Sequence, residues 1–115
     1  MENVSKSDVI QLPNHMKSIS CRDLELFPYE HSCYLKGEIL NLTQTEFSIL
    51  QTLMENCGRV VNAKELADHV WGDAFYVSRN GSIAVHVRHL REKMQDTQKP
   101  FCYVKNVWGE GYILG

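Results

Sequence analysis

The densest group of chemically able side chains lies between Val85 and Lys93. There Val85, His86, Arg88, His89, Arg91 and Lys93 follow one another within about two and a half helical turns. An arginine can pair bidentately with the major-groove edge of guanine, and a valine can touch a thymine methyl. Lysines and further arginines neutralise phosphates. His86 and His89 have the HxxH spacing of a metal pair, yet they stand about 60° apart on a helical wheel and no third ligand is evident. His86 reads instead as a residue at the core edge, donating to a backbone or phosphate oxygen. No GxSxG, P-loop or paired carboxylate is present, so neither catalysis nor a cofactor is expected.

These residues need a helix to present them. At 100° per residue Ile83, Val87, Leu90 and Met94 fall within about 60° of one another, which makes them the core side. Ala84, Val85, Arg88, His89 and Glu92 lie opposite, with Gly81 near the start and Asn80 as the expected cap. Taken alone, such a helix is as compatible with an ordinary solvated face as with a groove reader.

Upstream, Thr43-Gln44-Thr45-Glu46 has the form of a capping box, followed by Phe47, Leu50, Leu53 and Met54 at helical spacing and by Gly58 as a stop. Asn62 and Glu65 open a second helix that buries Leu66, Ala67 and Val70 and ends near Gly72. Before these, Leu24–Phe27, Cys33–Leu35 and Glu38–Leu42 alternate as short strands, with Lys36-Gly37 as a hairpin turn. After Pro100, Tyr103–Val107 and Tyr112–Leu114 flank a glycine-rich turn and form a terminal hairpin. Its Trp108 is either a wing aromatic at DNA or a hydrophobic staple of the hairpin. A helix pair, a basic helix and a hairpin in this order make a helix-turn-helix with a wing.

Composition agrees with one globular domain over residues 18–115, preceded by a polar linker or disordered arm over 1–17. The chain has 115 residues, 43% of them hydrophobic. The start lacks an apolar signal region and no run is long enough to span a bilayer, so a cytoplasmic protein is expected. In that compartment Cys21, Cys33, Cys57 and Cys102, with no CxxC pair among them, read as reduced structural thiols. The net charge of −2 hides an asymmetry. Residues 1–57 carry four basic and eight acidic side chains, residues 58–115 eight basic and six acidic. Duplex binding needs only a local basic surface. The acidic sheet residues Glu25, Glu30 and Glu38 read as a solvated face or as a docking face for another domain.

Four segments carry a specific resemblance. Leu42-Thr43-x-x-Glu46-Phe47, His69-Val70-Trp71-Gly72, Val85-His86-Val87-Arg88-x-Leu90-Arg91-x-Lys93 and Val107-Trp108-Gly109-x-Gly111-Tyr112 resemble the effector domains of OmpR/PhoB-family response regulators, in order and in spacing. The resemblance covers roughly Ile19 to Leu114. It implies an α+β winged helix-turn-helix with an N-terminal four-stranded antiparallel sheet, three helices and a C-terminal β-hairpin wing. By position it places Val85, Arg88, His89 and Trp108 at bases or groove walls. Lys64, Trp71, Arg79, Arg91 and Lys93 then approach phosphates, and Asp73, Ala74, Phe75 and Tyr76 form a candidate RNA polymerase loop. Gly81 and His89 stand where the family often has arginine, Ala84 where it often has aspartate, and Trp108 where an arginine often reaches the minor groove. The implied partners are double-stranded DNA with direct repeats, RNA polymerase, and a phosphate-accepting receiver domain for which this chain has no room. The domain is expected to be a monomer alone and a head-to-tail pair on DNA. The competing reading is a winged-helix protein-interaction module with little DNA affinity, which the acidic net charge and the missing arginines favour.

Overall fold

A computed structural model describes residues 17–72 and 82–115. The expected arm therefore lies outside the described residues apart from Lys17, as do Asp73, Ala74, Phe75, Tyr76, Arg79, Asn80 and Gly81.

The chain opens with an antiparallel sheet in the order β1 (Ile19–Cys21), β2 (Leu24–Phe27), β3 (Ser32–Leu35), β4 (Glu38–Ile39). Period-two alternation sends Cys21, Leu24, Leu26 and Cys33 into the core and leaves Glu25 paired across to Tyr34 on the other face. Lys36 (φ +52°) and Gly37 (φ +82°) turn β3 into β4, both in the left-handed region that a tight two-residue hairpin requires. Strand β4 stops at Ile39, short of the alternation that runs on to Leu42.

Helix α1 (Gln44–Glu55) starts on the expected capping box: Thr43 Oγ1 accepts from the Glu46 backbone N–H at 3.1 Å, and Glu46 Oε1 accepts from Thr43 N–H at 2.9 Å. It ends at Asn56, two residues before Gly58 takes its positive φ. Helix α2 (Ala63–Trp71) repeats the device with Asn62 and Glu65 and ends at Gly72. Helix α3 (Ile83–Lys93) is capped by Ser82, whose Oγ accepts from Val85 N–H. Asn80 was the wrong residue for that cap because Ser82 is the one placed three residues ahead of the N–H that needs an acceptor. The hairpin β5 (Val104–Val107) and β6 (Gly111–Leu114) closes the fold.

Among the described residues, α1, α2, α3 and both sheets contribute to one core. Leu24, Leu26, Ile49, Leu50, Leu53, Leu66, Val87, Leu90, Val104 and Leu114 are fully buried in it. Val61, in the link between α1 and α2, exchanges backbone hydrogen bonds with Tyr112 at 2.8 and 2.9 Å. The wing is thereby fastened to the start of α2. A Cβ on Gly111 would sit 2.2 Å from Val61 O, so this junction admits only glycine.

The expectation of four reduced thiols is corrected at one pair. Cys21 and Cys57 form a disulfide, with Cα atoms 6.0 Å apart, inside the normal range for the bond. The end of β1 packs against the end of α1, a contact between residues 36 apart in sequence that no local pattern announces. Cys33 and Cys102 remain thiols, the first buried and the second exposed. Burial pushes the Cys33 thiol up to about 11, against a backbone hydrogen bond with Tyr34.

Candidate nucleic-acid interface

Helix α3 is held by its core side. Ile83, Val87 and Leu90 are buried, as is Met94 at the C-cap, and the periodicity read from the sequence is the one observed. The opposite side carries exposed Ala84, Val85, Arg88 and Glu92, with Val85 39% exposed and His89 half-buried. An apolar side chain and a guanidinium thus stand on the outward side of a helix that packing keeps from rotating.

His89 meets His86 edge-on at 6.5 Å, and His86 meets Trp71 edge-on at 5.7 Å. The HxxH pair is accordingly part of an aromatic row between α3 and the end of α2. Trp71 is half-buried against the core. Among the described residues no three His, Cys, Asp or Glu side chains are grouped as a metal site would need. In the first turn of α2, exposed Lys64 pairs with Asp68 at 3.1 Å.

The last turn of α3 behaves differently. Arg91 Nε donates to Val104 O at 3.0 Å and its Nη2 donates to Asn106 Oδ1 at 2.6 Å. The guanidinium also lies 3.7 Å over the Phe101 ring. Burial lowers the Arg91 pKa while Tyr112 and Asp96 oppose the shift. Lys93 Nζ donates to Glu46 Oε1 at 2.6 Å, and Glu46 is only 3% exposed. Burial resists ionisation of that carboxylate, but the Lys93 hydrogen bond and charge, together with the Thr43 cap, outweigh it and hold the pKa below its ordinary value. Arg91 and Lys93, both expected at phosphates, are therefore engaged within the fold: one ties α3 to the wing, the other ties α3 to α1.

A carboxylate that sequence reasoning passed over organises the approach to the wing. Asp96, 4% exposed, accepts from the backbone N–H groups of Cys102, Tyr103 and Val104 at 2.7, 2.9 and 3.2 Å. Tyr103 in turn donates to Asp23 Oδ2 at 2.7 Å, which ties the wing root to the sheet and raises the phenol pKa. A lone aspartate just past a helix, ahead of a loop and a strand, is the only sequence signal for this arrangement.

At the far end of the hairpin Glu110 N–H donates to Val107 O at 2.9 Å and closes the turn. Gly109 supplies φ +74° at the third turn position. Trp108 precedes it and is 96% exposed, so it does not staple the hairpin. It shares a concavity with Lys99, Phe101, Lys105 and Asn106. Neither lysine was singled out in the sequence, although the alternation of β5 puts Lys105 outside next to buried Val104.

Comparison with known proteins agrees with this geometry. Residues 37–114 match the family model described as transcriptional regulatory protein, C terminal. The regulatory protein VanR of Enterococcus faecium is 52% identical over 84 residues, which are 73% of this chain and 36% of that protein. The chain thus spans about a third of the length of this curated relative. The DNA-binding domain of AdeR, solved in complex with an intercistronic region, aligns with TM-score 0.67 and 31% identity over 84% of this chain and 96% of that one. The C-terminal DNA-binding domain of RstA from Klebsiella pneumoniae aligns with TM-score 0.72 and 26% identity over 91% of this chain and 93% of that one. The chain belongs to the family of C-terminal winged helix-turn-helix effector domains of OmpR/PhoB-type transcription regulators.

Proposed function

We propose that this domain binds duplex DNA in a sequence-specific manner and regulates transcription as the output part of a two-component response regulator. Helix α3 enters the major groove, where Arg88 reads a guanine and Val85 and His89 contact bases or groove walls. The wing carries Trp108 to the adjacent minor groove. Lys64 and Trp71, with Arg79, approach phosphates. The observation that carries the reading is the exposed Val85–Arg88 side of a helix locked by Ile83, Val87 and Leu90. AdeR supports it as a relative solved on DNA.

Control by a receiver domain, contact with RNA polymerase and head-to-tail pairing on direct repeats belong to the same proposal; VanR, of which this chain spans 36%, is long enough to hold a further domain. Two copies reading one duplex face require repeats about 10–10.5 base pairs apart, and a head-to-tail contact calls for tandem rather than inverted sites.

One observation favours the alternative of a protein-interaction module with little DNA affinity: Arg91 and Lys93 are already engaged internally. Binding measured against salt separates the two. Three to five cationic contacts give a slope of log K on log salt of about −3 to −4. A flat salt dependence would favour the interaction module.

A further inference from the structure

The wing tip combines features that groove contact alone does not explain. Among the described residues Trp108 is the most exposed large hydrophobic side chain, at 96%. It stands on a hairpin that cannot swing freely. Tyr112 is bonded twice to Val61, Gly111 lies against the Val61 backbone without room for a side chain, and Asn106 is held by Arg91. Trp108 lines two concavities, one shared with Lys99, Phe101 and Lys105, the other with Glu110 and Tyr112. A flat apolar group on a fixed mount, with cations on one flank, matches what duplex-bending proteins present to the minor groove. In them an apolar wedge enters a base step while neighbouring cations hold the backbone.

We propose that Trp108 is such a wedge, so that this domain kinks its DNA at the wing and selects sites for deformability there. The proposal rests on the DNA-binding reading and extends it. The charge arrangement selects the occupant, because Lys99 and Lys105 complement a polyanion beside an indole, and an acidic backbone next to a stackable base step satisfies both. The duplex bends toward its major groove and opens the minor groove under the wing. The base step under the wing is then read through its flexibility. Pyrimidine–purine steps such as TA and CA unstack most easily and are favoured there, at a position no hydrogen bond contacts.

Fluorescence energy transfer between the ends of a labelled duplex tests this, using sites selected from random sequence by the wild-type domain. The wild-type complex should show shortened end-to-end distance, and 2-aminopurine placed at the wing step should brighten on binding. Trp108→Phe should keep most of the bend. Trp108→Arg should still bind but straighten the duplex and lose the preference for a flexible step. Replacing that step by a stiff AA should weaken wild type about tenfold and the arginine variant far less. A bend and a step preference unchanged in Trp108→Arg would overturn the wedge while leaving DNA binding intact. A straight wild-type complex would do the same, as would brightening of single-stranded but not duplex probes. Failure of the wild type to bind any duplex would overturn the DNA reading itself, and the wedge with it.

Discussion

The middle turn of α3 carries one cation, Arg88, and the last turn carries two, Arg91 and Lys93, and the two regions use them in opposite ways. Arg88 projects from the middle turn and is exposed. One turn on, Arg91 reaches inward to Val104 O, Asn106 and Phe101, and Lys93 reaches back to the buried Glu46. The first region is available to a ligand, and the second fixes the angle at which the first is presented. A basic helix is thus two devices in series. The second binds to the fold charges that a count of basic residues would assign to DNA.

Variants can break this contrast, beginning with the strongest tie. Arg91→Ala removes two charge-assisted hydrogen bonds and a stacked guanidinium, and should cost about 3 kcal/mol of folding stability. Thermal denaturation should show a drop of roughly 10 °C or more. An unchanged midpoint would mean that Arg91 is as available as Arg88. Lys93→Met leaves a buried carboxylate without its cation and should cost about 2 kcal/mol at neutral pH.

The same pair has a pH signature. The Glu46 pKa is lower in the folded protein than its ordinary 4.5, so its contribution is fully present above that value and disappears as pH falls through the folded pKa. In Lys93→Met the lowering by Lys93 is lost, Glu46 takes up its proton at higher pH than in the wild type, and the acid-dependent part of the stability curve moves upward. Chemical denaturation at a series of pH values reads this directly. Superimposable curves for the two proteins would refute the coupling.

The middle turn should respond in the other currency. Arg88→Ala should leave stability within about 0.5 kcal/mol while weakening the best site by about 1–3 kcal/mol and relaxing one base position. Smallest of all, Lys64→Ala should reduce binding to every sequence about equally and lower the salt slope by about 1. A changed motif in that variant would move Lys64 from the backbone to the bases.

How much of this could be read in advance follows from the range of each interaction. The capping boxes at Thr43 and Asn62 were legible because donor and acceptor are three residues apart. The core side of α3 was legible because Ile83, Val87, Leu90 and Met94 repeat with the helix itself. The expected fold, with its four-stranded sheet, three helices and wing, is the one the described residues show. Spacing places a cation on a helix but does not name its partner, so the internal contacts of Arg91 and Lys93 were not legible. Asn106 and Glu46 lie 15 and 47 residues from them. The Cys21–Cys57 bond and the Asp96 anchor escaped for the same reason. The cap of α3 was misplaced because Asn80 and Ser82 are both good capping residues and only the backbone decides between them.

Base reading by the middle turn of α3 is tested most directly by one measurement. Binding sites should be selected from random duplexes in parallel with wild type and with Arg88→Ala, after both are shown to be equally folded. The wild type should enrich a motif, arranged in tandem about 10–10.5 base pairs apart. The variant should enrich the same motif with one guanine position degenerate. Repeated selection without any motif, or an identical motif from the variant, would contradict the account.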